Sequence, residues 1–594
     1  MTGLYCISSN YQTVCLERTT GRARGGHVNN LLEFPASLLV HFRRVELLRK
    51  EAVQMVSIDL NFRQLYDLEL LLNRGYYPLN GYLGQEDYMS VLENMCLPDG
   101  TVWTIPICLD ISEQQAKEMH HGQRVALNDM EGFLLAVLTV EDVWQPDKGY
   151  EAEKVYGTRD SSTHPGVYKL LNHTRAWYVS GPVEGVSLPL HYDFRDIRRS
   201  PSEIHRRFTQ YGWTNILGFH TKEYLHCAHR EMLYAAAREV GANLFLHPVV
   251  GLDHPGNREH YTQVHCYQEF VKHFPANMIV LGITPLAERY AGPREAAWHA
   301  IIRKNFGCSH FMVAEDHGDP FAGTQQELFY PRHAAQELVA ELQERTGIQM
   351  VAEKSMGYCE EKGKYIFFDE TSGDAEVKTI SSHELRRRLE WGLDIPEWYS
   401  YPNIIAEMQR AFPPRSKQGF TIFLTGLSGS GKSTLAKVLM VRFLELRDRP
   451  VTLLDGDIVR KNLSSELTFS KEHRDLNVTR IGFVASEITK NGGIALCAPI
   501  APYEAPRATN RALISRYGGY IEIHVATPLE VCEQRDRKGL YAKARQGLIK
   551  GVTGISDPYI APEHPELTID TSCMTPAEAV QEVFLYLKEQ GYIQ

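Results

Sequence analysis

The sharpest chemical spacing in this chain lies in the run FTIFLTGLSGSGKST, Phe420–Thr434. Gly426, Gly431, Lys432 and Ser433 fit G-x-x-x-x-G-K-S, with Gly429 inside the loop and Thr434 just after it. Glycines let backbone N–H groups close on phosphate oxygens, and the helix start that follows favours negative charge. In this arrangement Lys432 reaches the β- and γ-phosphates of a nucleoside triphosphate, and the Ser433 hydroxyl ligates Mg²⁺. An apolar strand before the loop and a helix after it give the motif its required context.

Three further groupings could act on phosphate or sulfate. The segment VTLLDGDIVR, Val451–Arg460, reads as a second buried strand ending in Asp455 and Asp457. A carboxylate there can orient an attacking hydroxyl or hold a metal; a solvated strand-end turn is the alternative. Arg474, Asn477 and Arg480 put three basic or amide side chains on one stretch of helical character. Arginine suits a two-pronged grip on phosphate or sulfate, though such a stretch can also be a solvated helix face. His226 and His229 sit three apart at a predicted helix start and share a face. They can meet phosphate oxygens as charge builds on leaving pyrophosphate; one core and one surface histidine is the other reading. With no third ligand nearby in sequence, this pair does not read as a metal site.

The elements that must position these groups are spread over a chain of 594 residues. At about 100–200 residues per domain, about three or four domains are expected. Leu65–Leu83 reads as a helix broken at Gly75 and Pro78, while Thr101–Ile111 and Gly132–Trp144 read as strands, which points to a β-rich first domain. From Pro201 the pattern alternates: WTNILGFH, NLFLHPVVG, MIVLGITPL and HFMVAEDHG are strand-then-loop units, with a helix from His226 to Val240 among those between them. Alternation implies a parallel sheet, whose ligands sit at the carboxyl ends of the strands. A small mixed region follows, then the linker Phe412–Gly419 and a second α/β pattern to the end. The predicted domains are 1–195, 196–343, 344–411 and 412–594.

Composition sets outer limits. Net charge is -10, so nucleic acid is not an expected partner and anions must be held by local clusters. Eleven scattered cysteines without a Cys-x-x-Cys pair fit a reducing cytosol. No apolar run nears the roughly 20 residues a membrane span needs, and the first thirty lack a signal-peptide layout. A cytoplasmic protein with small-molecule substrates is expected, with Met1–Val28 as an irregular arm.

Six ordered motifs, GLSGSGKST, DGDIVRKNL, FSKEHRDLNVTRIG, APIAPY, DRKGLYAKAR and TGISDPYIAPEHPEL, resemble the adenylyl-sulfate kinase family over about Gly419–Gln594. The resemblance implies a P-loop kinase using MgATP on adenylyl sulfate. It places Asp457 as the catalytic carboxylate near the 3′-hydroxyl. Arg460, Arg474, Asn477 and Arg480 hold the acceptor, and Phe469 stacks on its adenine. Lys538, Leu540 and Lys543 form a lid-like segment, and Arg535 packs near the ATP base. Ala501 stands where many members have Ser, which implies direct phosphoryl transfer from ATP to the acceptor.

The segments LHPVVGLDHPG, GPREAAWHAIIRKNFGCSHF and EDHGDP, with DLELLLNRGYYPLNGYL and VWTIPICLD, resemble the ATP sulfurylase family over roughly residues 50–395. That implies a PUA-like domain, a nucleotidyltransferase domain and a small third domain. It also implies sulfate attack on the α-phosphorus of ATP, with His226, His229 and His247 on the ATP side and Lys222 on the sulfate side. Homo-oligomers are usual in the family. Departures stand out. The family's Gln-Thr-Arg-Asn-Pro reads His220-Thr221-Lys222-Glu223-Tyr224, and its Gly-Arg-Asp-His reads Ala314-Glu315-Asp316-His317. Lys222 keeps charge but loses the planar fork. Each new carboxylate about 4 Å from a dianion costs on the order of 4 kcal/mol at an effective dielectric of about 20. Three roles stay open for this region: sulfate adenylylation through Lys222 and reoriented arginines such as Arg294, adenylylation of a cationic or zwitterionic acceptor, or a non-catalytic assembly or regulatory role.

Overall fold

Apolar runs become strands here, but shorter strands than the runs that signal them. The structure, a computed structural model, describes residues 35–250, 258–324, 326–368 and 376–594, and all that follows concerns these. The predicted Met1–Val28 arm and part of the LHPVVGLDHPG segment lie outside them.

The first domain holds β1 (Val56–Asp59), β2 (Gly81–Tyr82), β3 (Leu109–Ile111), β4 (Arg124–Asn128), β5 (Leu134–Thr139), β6 (Val143–Trp144), β7 (Trp177–Val179) and β8 (Gly181–Gly185). They form a five-stranded sheet, β1-β4-β5-β8-β2, and a three-stranded one, β3-β7-β6. Only the last three residues of the Thr101–Ile111 run are strand. Trp103, Ile105 and Ile107 are nonetheless buried, so that run records burial rather than ladder pairing. The predicted broken helix ends earlier than expected. It spans Phe62–Leu72, starts on an Asn61–Gln64 capping box and stops at Asn73, before Gly75.

The second domain is a parallel sheet of β9 (Ile216–Phe219), β10 (Asn243–Leu246), β11 (Ile279–Leu281), β12 (His310–Val313) and β13 (Gln349–Ala352). The order is β11-β10-β9-β12-β13, so chain direction across the sheet reverses between β9 and β12. Such a switch point opens a crevice at the carboxyl ends of the two strands. β13 lies beyond the expected 343/344 boundary yet is an edge strand of this sheet, paired to β12. The helix Gly292–Asn305 is buried nearly all round and carries Glu295, His299 and Arg303 inside. Buried charge on such a helix needs partners, which points to polar work beneath the crevice.

β14 (Met356–Cys359), β15 (Lys364–Phe367) and β16 (Val377–Lys378) make a small antiparallel sheet, followed by the helix Ser382–Trp391. The last domain has β17 (Phe420–Thr425), β18 (Val451–Asp455), β19 (Ile494–Ala498), β20 (Gly519–Val525) and β21 (Leu567–Ile569) in a parallel sheet ordered β18-β19-β17-β20-β21. Its entry segment is anchored. Arg415 donates to Glu390 and to the Gln590 carbonyl, and its guanidinium lies 5.0 Å from the Trp391 ring and 5.8 Å from the Tyr592 ring.

Candidate active sites

β17 ends at Thr425 and the chain turns into the glycine loop. Gly426, Gly429 and Gly431 have φ of 151°, 78° and 102°. A Cβ on Gly426 would stand 2.5 Å from the Val525 carbonyl oxygen, so the loop fits only glycine there. Thr527 and Thr571 both donate to the Ser430 carbonyl, at 3.0 and 2.8 Å, and Tyr541 donates to the Ser428 carbonyl at 2.8 Å. These bonds pin the loop from the outside and leave its interior to a ligand.

Lys432 is 6% exposed, and its amine donates to the Gly426 and Leu427 carbonyls at 2.8 and 2.6 Å. Burial pulls its pKa down to about 8, against the raising effect of Cys532 and Asp455. Asp455 is buried at the end of β18. Ser433 and Thr434 are exposed at the start of the helix Lys432–Leu446. Asp457 lies at the second residue of the helix Gly456–Leu463; its side chain lies outside the described part.

Several predicted acceptor residues meet around the helix Lys471–Lys490, and the 551–557 segment held there approaches the loop, where a Cβ on Gly554 would stand 3.0 Å from Leu427. Arg460 sits 4.3 Å from the ring of Phe469, which is exposed, and donates to the Leu467 and Thr468 carbonyls. Arg474 and Asn477 lie in the helix Lys471–Lys490, as the helical reading expected. The Arg474 guanidinium is heavily used. It donates to the Phe469 and Gly551 carbonyls, to Thr553 and to Asp557, which also accepts from Tyr503. It therefore ties the 551–557 segment to the helix. Asn477 is buried with its side-chain oxygen unpartnered, and Arg480 donates to the Leu463 carbonyl at 2.7 Å and to Glu466 at 2.6 Å. Lys538 and Lys543 are exposed around the short helix Leu540–Arg545, which Asp536 caps. Arg535 donates to the Thr571 hydroxyl and carbonyl at 2.7 and 2.8 Å, next to the glycine loop.

Between the second domain and the small domain a cavity of about 740 Å³ is lined by Lys222, Glu223, His226, His229, Glu353 and Tyr399 among others. The His226 N–H donates to His229 Nδ1 at 3.3 Å, and the two rings lie 4.0 Å apart. The His226 ring stacks on Tyr399 at 4.5 Å, and burial holds it neutral, well below its usual pKa. His247 is not brought to the cavity wall. It has no exposed surface and packs between Phe245 and Phe306, at 4.4 and 4.3 Å.

The residues expected on the anion side make contacts that the sequence did not indicate. Lys222 is drawn to Glu288 and lies 5.5 Å from the Tyr290 ring. Glu223 faces His229 at 3.6 Å, and that contact holds its carboxyl below the usual range. Glu315 pairs with Arg332. Arg294 donates to the Val91 and Leu92 carbonyls at 3.1 and 2.8 Å, so its guanidinium closes the end of a first-domain helix. Glu353, one residue past β13, is an acid that the sequence did not single out. Burial pushes its pKa up to about 7; His229 opposes this, and Glu223, Asp316 and Glu315 add to it.

Thr527, Thr571, Tyr541 and Asp557 also escaped sequence reasoning. Each reaches its site from far along the chain, Tyr541 from the short helix Leu540–Arg545 and the others from loops. Only the strand-end placement of Asp455 and Glu353 carried a signal. Among the described residues, no helix is long and apolar enough to cross a membrane.

Comparison with known proteins adds three family matches: a PUA-like domain over residues 36–188, ATP-sulfurylase over 195–411 and adenylylsulphate kinase over 418–570. A sulfate adenylyltransferase of Phaeosphaeria nodorum is 44% identical over 93% of this chain and 96% of its own. One from Mycosarcoma maydis is 45% identical over 92% and 96%. Among solved structures, a hexameric APS kinase from Thiobacillus denitrificans is 37% identical, with a TM-score of 0.77 over 94% of this chain and 98% of that one.

Proposed function

The chain belongs to the sulfate adenylyltransferase family and ends in an adenylylsulphate kinase domain, and on that premise we propose that its last domain moves the γ-phosphoryl group of ATP to the 3′-hydroxyl of adenylyl sulfate. The enzyme is a phosphotransferase fused to a nucleotidyltransferase-type region, and the pair activates sulfate as 3′-phosphoadenylyl sulfate. One observation carries the kinase assignment. A buried lysine in a glycine-only loop is joined to a basic cluster: Arg460 and Arg474 both meet Phe469, and Arg474 holds the 551–557 segment, where a Cβ on Gly554 would stand 3.0 Å from Leu427 of the loop.

In this reading the loop amides and Lys432 hold the β- and γ-phosphates, replacing the carbonyls that Lys432 now meets. Ser433 and Asp455 fit Mg²⁺: an exposed hydroxyl at the helix start and a buried carboxylate at the next strand end. When bound, the ion neutralises charge on the transferring phosphoryl group. Asp457 orients the acceptor hydroxyl, and Phe469 offers its exposed ring to the adenine. Arg460, Arg480 and Asn477 hold the acceptor's phosphate and sulfate. Arg474 shapes that pocket by fixing the 551–557 segment. Lys538 and Lys543 close over the nucleotides. Charge is preorganised rather than covalently relayed, and positioning does most of the work.

For the amino-terminal region we propose adenylyl transfer from ATP to sulfate, with His226 and His229 at the phosphates. The kinase step then draws off a product that forms uphill. A second reading has support of its own: Glu223, Glu315, Asp316 and Glu353 cluster on the anion side, and Lys222 is engaged by Glu288. These acids suit a cationic or zwitterionic acceptor. We also propose four units, with the second extended through β13.

An Asp457→Asn variant, silent as a kinase, tests both readings. Pyrophosphate release from MgATP that rises with sulfate supports the first. Release that rises only with amine-bearing acceptors supports the second, and no release with any acceptor removes both. If Lys432→Ala still makes 3′-phosphoadenylyl sulfate, the kinase assignment is wrong.

A further inference from the structure

The loop after β9 places His220 where ATP sulfurylases carry glutamine. The fold brings that imidazole to two others. His220 follows β9, and His317 lies in the turn after β12, the neighbouring strand across the switch point. His299 rises from the buried helix Gly292–Asn305 beneath them. One ring nitrogen from each residue lies within 4.8 Å of the other two. His299 Nδ1 and His317 Nε2 are 2.9 Å apart. The three rings are turned 54–76° from one another rather than stacked, so their in-plane lone pairs can converge.

Two further observations point to a ligand. His220 Nδ1 is buried without a hydrogen-bond partner, and His299, whose Nδ1 faces the cluster, is 2% exposed. A buried polar nitrogen left unpaired costs about 1–3 kcal/mol, so such atoms call for an explanation. A carboxylate also stands behind the cluster. Glu295 Oε1 lies 3.7 Å from His299 Nε2, and the two Glu295 oxygens are fixed by the Arg289 and Ala291 N–H groups at 2.9 Å each. A histidine ligand typically turns its second nitrogen toward such a carboxylate.

We propose that His220, His299 and His317 bind one divalent transition-metal ion of the zinc class, leaving a fourth position open. Three imidazoles with an open position are a recognised donor set for zinc, at metal–nitrogen distances of about 2.0–2.1 Å. Tetrahedral geometry then separates ligand nitrogens by about 3.3 Å, so the His299–His317 pair opens by only a few tenths of an ångström. That pair now shares one N–H. A tautomer change in one ring, with no proton lost, turns both nitrogens toward the ion, and the nitrogen donor set favours zinc, cobalt, nickel or copper over magnesium or calcium.

The test uses the full chain, stripped with a chelator and titrated with Co²⁺ alone, then dialysed against Zn²⁺ with the bound metal counted. One ion per chain is expected, with the visible absorption of tetrahedral, nitrogen-ligated Co²⁺ and no thiolate charge-transfer band. His220→Gln, which keeps the size and polarity of the loop, should bind at least tenfold more weakly, and His317→Asn likewise. Circular dichroism and the thermal transition report whether each variant folds. Equal affinity in wild type and both variants overturns the proposal. So do octahedral Co²⁺ absorption, a thiolate band, or no retained ion in the wild type, and these three stand even if a variant misfolds.

Discussion

The buried Lys432 amine makes the kinase reaction sensitive to pH in a way that can be worked out in advance. Its pKa lies at about 8, below the ordinary 10.5, because burial disfavours the charge. Phosphates in the loop restore the charged form, so the free enzyme loses affinity for ATP as the amine deprotonates. With a free-enzyme pKa of about 8, the protonated fraction falls about tenfold from pH 7 to pH 9, which is about 1.4 kcal/mol of binding. The pH profile of kcat/KM for MgATP reports free-enzyme groups, whereas that of kcat reports the bound complex. At saturating adenylyl sulfate, kcat/KM should therefore bend near pH 8 and be about tenfold lower at pH 9 than at pH 7, while kcat stays nearly level. Calorimetry at pH 8 should show uptake of about half a proton per nucleotide bound at this site. The Lys432→Met variant should be slow and flat across the same range. A level kcat/KM in the wild type, or the same bend in Lys432→Met, refutes the reasoning.

Glu353 gives a stability test of opposite sign. Its carboxyl has a folded pKa of about 7 against an ordinary 4.5, so the folded state holds the extra proton and stability falls as pH rises from about 4.5 to 7. Glu353→Gln should therefore be more stable than wild type by up to about 3 kcal/mol at pH 8, and nearly equal to it at pH 4.5. All seven tryptophans lie before residue 412, so urea unfolding followed by tryptophan fluorescence isolates the amino-terminal region. Arg474→Lys keeps the charge, but three donors on one nitrogen cannot serve Phe469, Gly551, Thr553 and Asp557 together. Hydrogen bonds to charged groups are worth about 1.5–3 kcal/mol, so KM for adenylyl sulfate should rise about tenfold or more in steady-state assays, with KM for ATP within about twofold.

How much of this was legible in the sequence depends on how far apart the cooperating residues lie. The glycine loop was readable because strand, loop and helix are contiguous and the spacing itself is the signal. The parallel sheets were readable from alternating apolar runs, although Thr101–Ile111 shows that burial alone can imitate a strand. β13 was missed as part of the second sheet because its short half-buried run, Gln349–Ala352, offers little periodicity. Lys222 and Glu223 stood out in the sequence as departures from the family pattern. Their partners, Glu288 and His229, could not be inferred, because pairing is decided by packing rather than by type. The convergence of His220, His299 and His317 was invisible for the same reason. Each belongs to a different element, and only the order of the strands brings them together.

The Arg415 junction bears on how this chain can be cut. Its guanidinium lies between Trp391, from the small domain, and Tyr592, two residues from the end of the kinase, and it reaches both Glu390 and the Gln590 carbonyl. The kinase's last turn thus serves as part of the wall of its neighbour. An excised kinase starting near Phe420 keeps its glycine loop but bares an aromatic face that the intact chain covers. An excised amino-terminal half takes the Arg415 contact from Trp391 and Glu390, which are already partly exposed in the intact chain. The two activities share a seam as well as a polypeptide, and work on either half in isolation begins by repairing that seam.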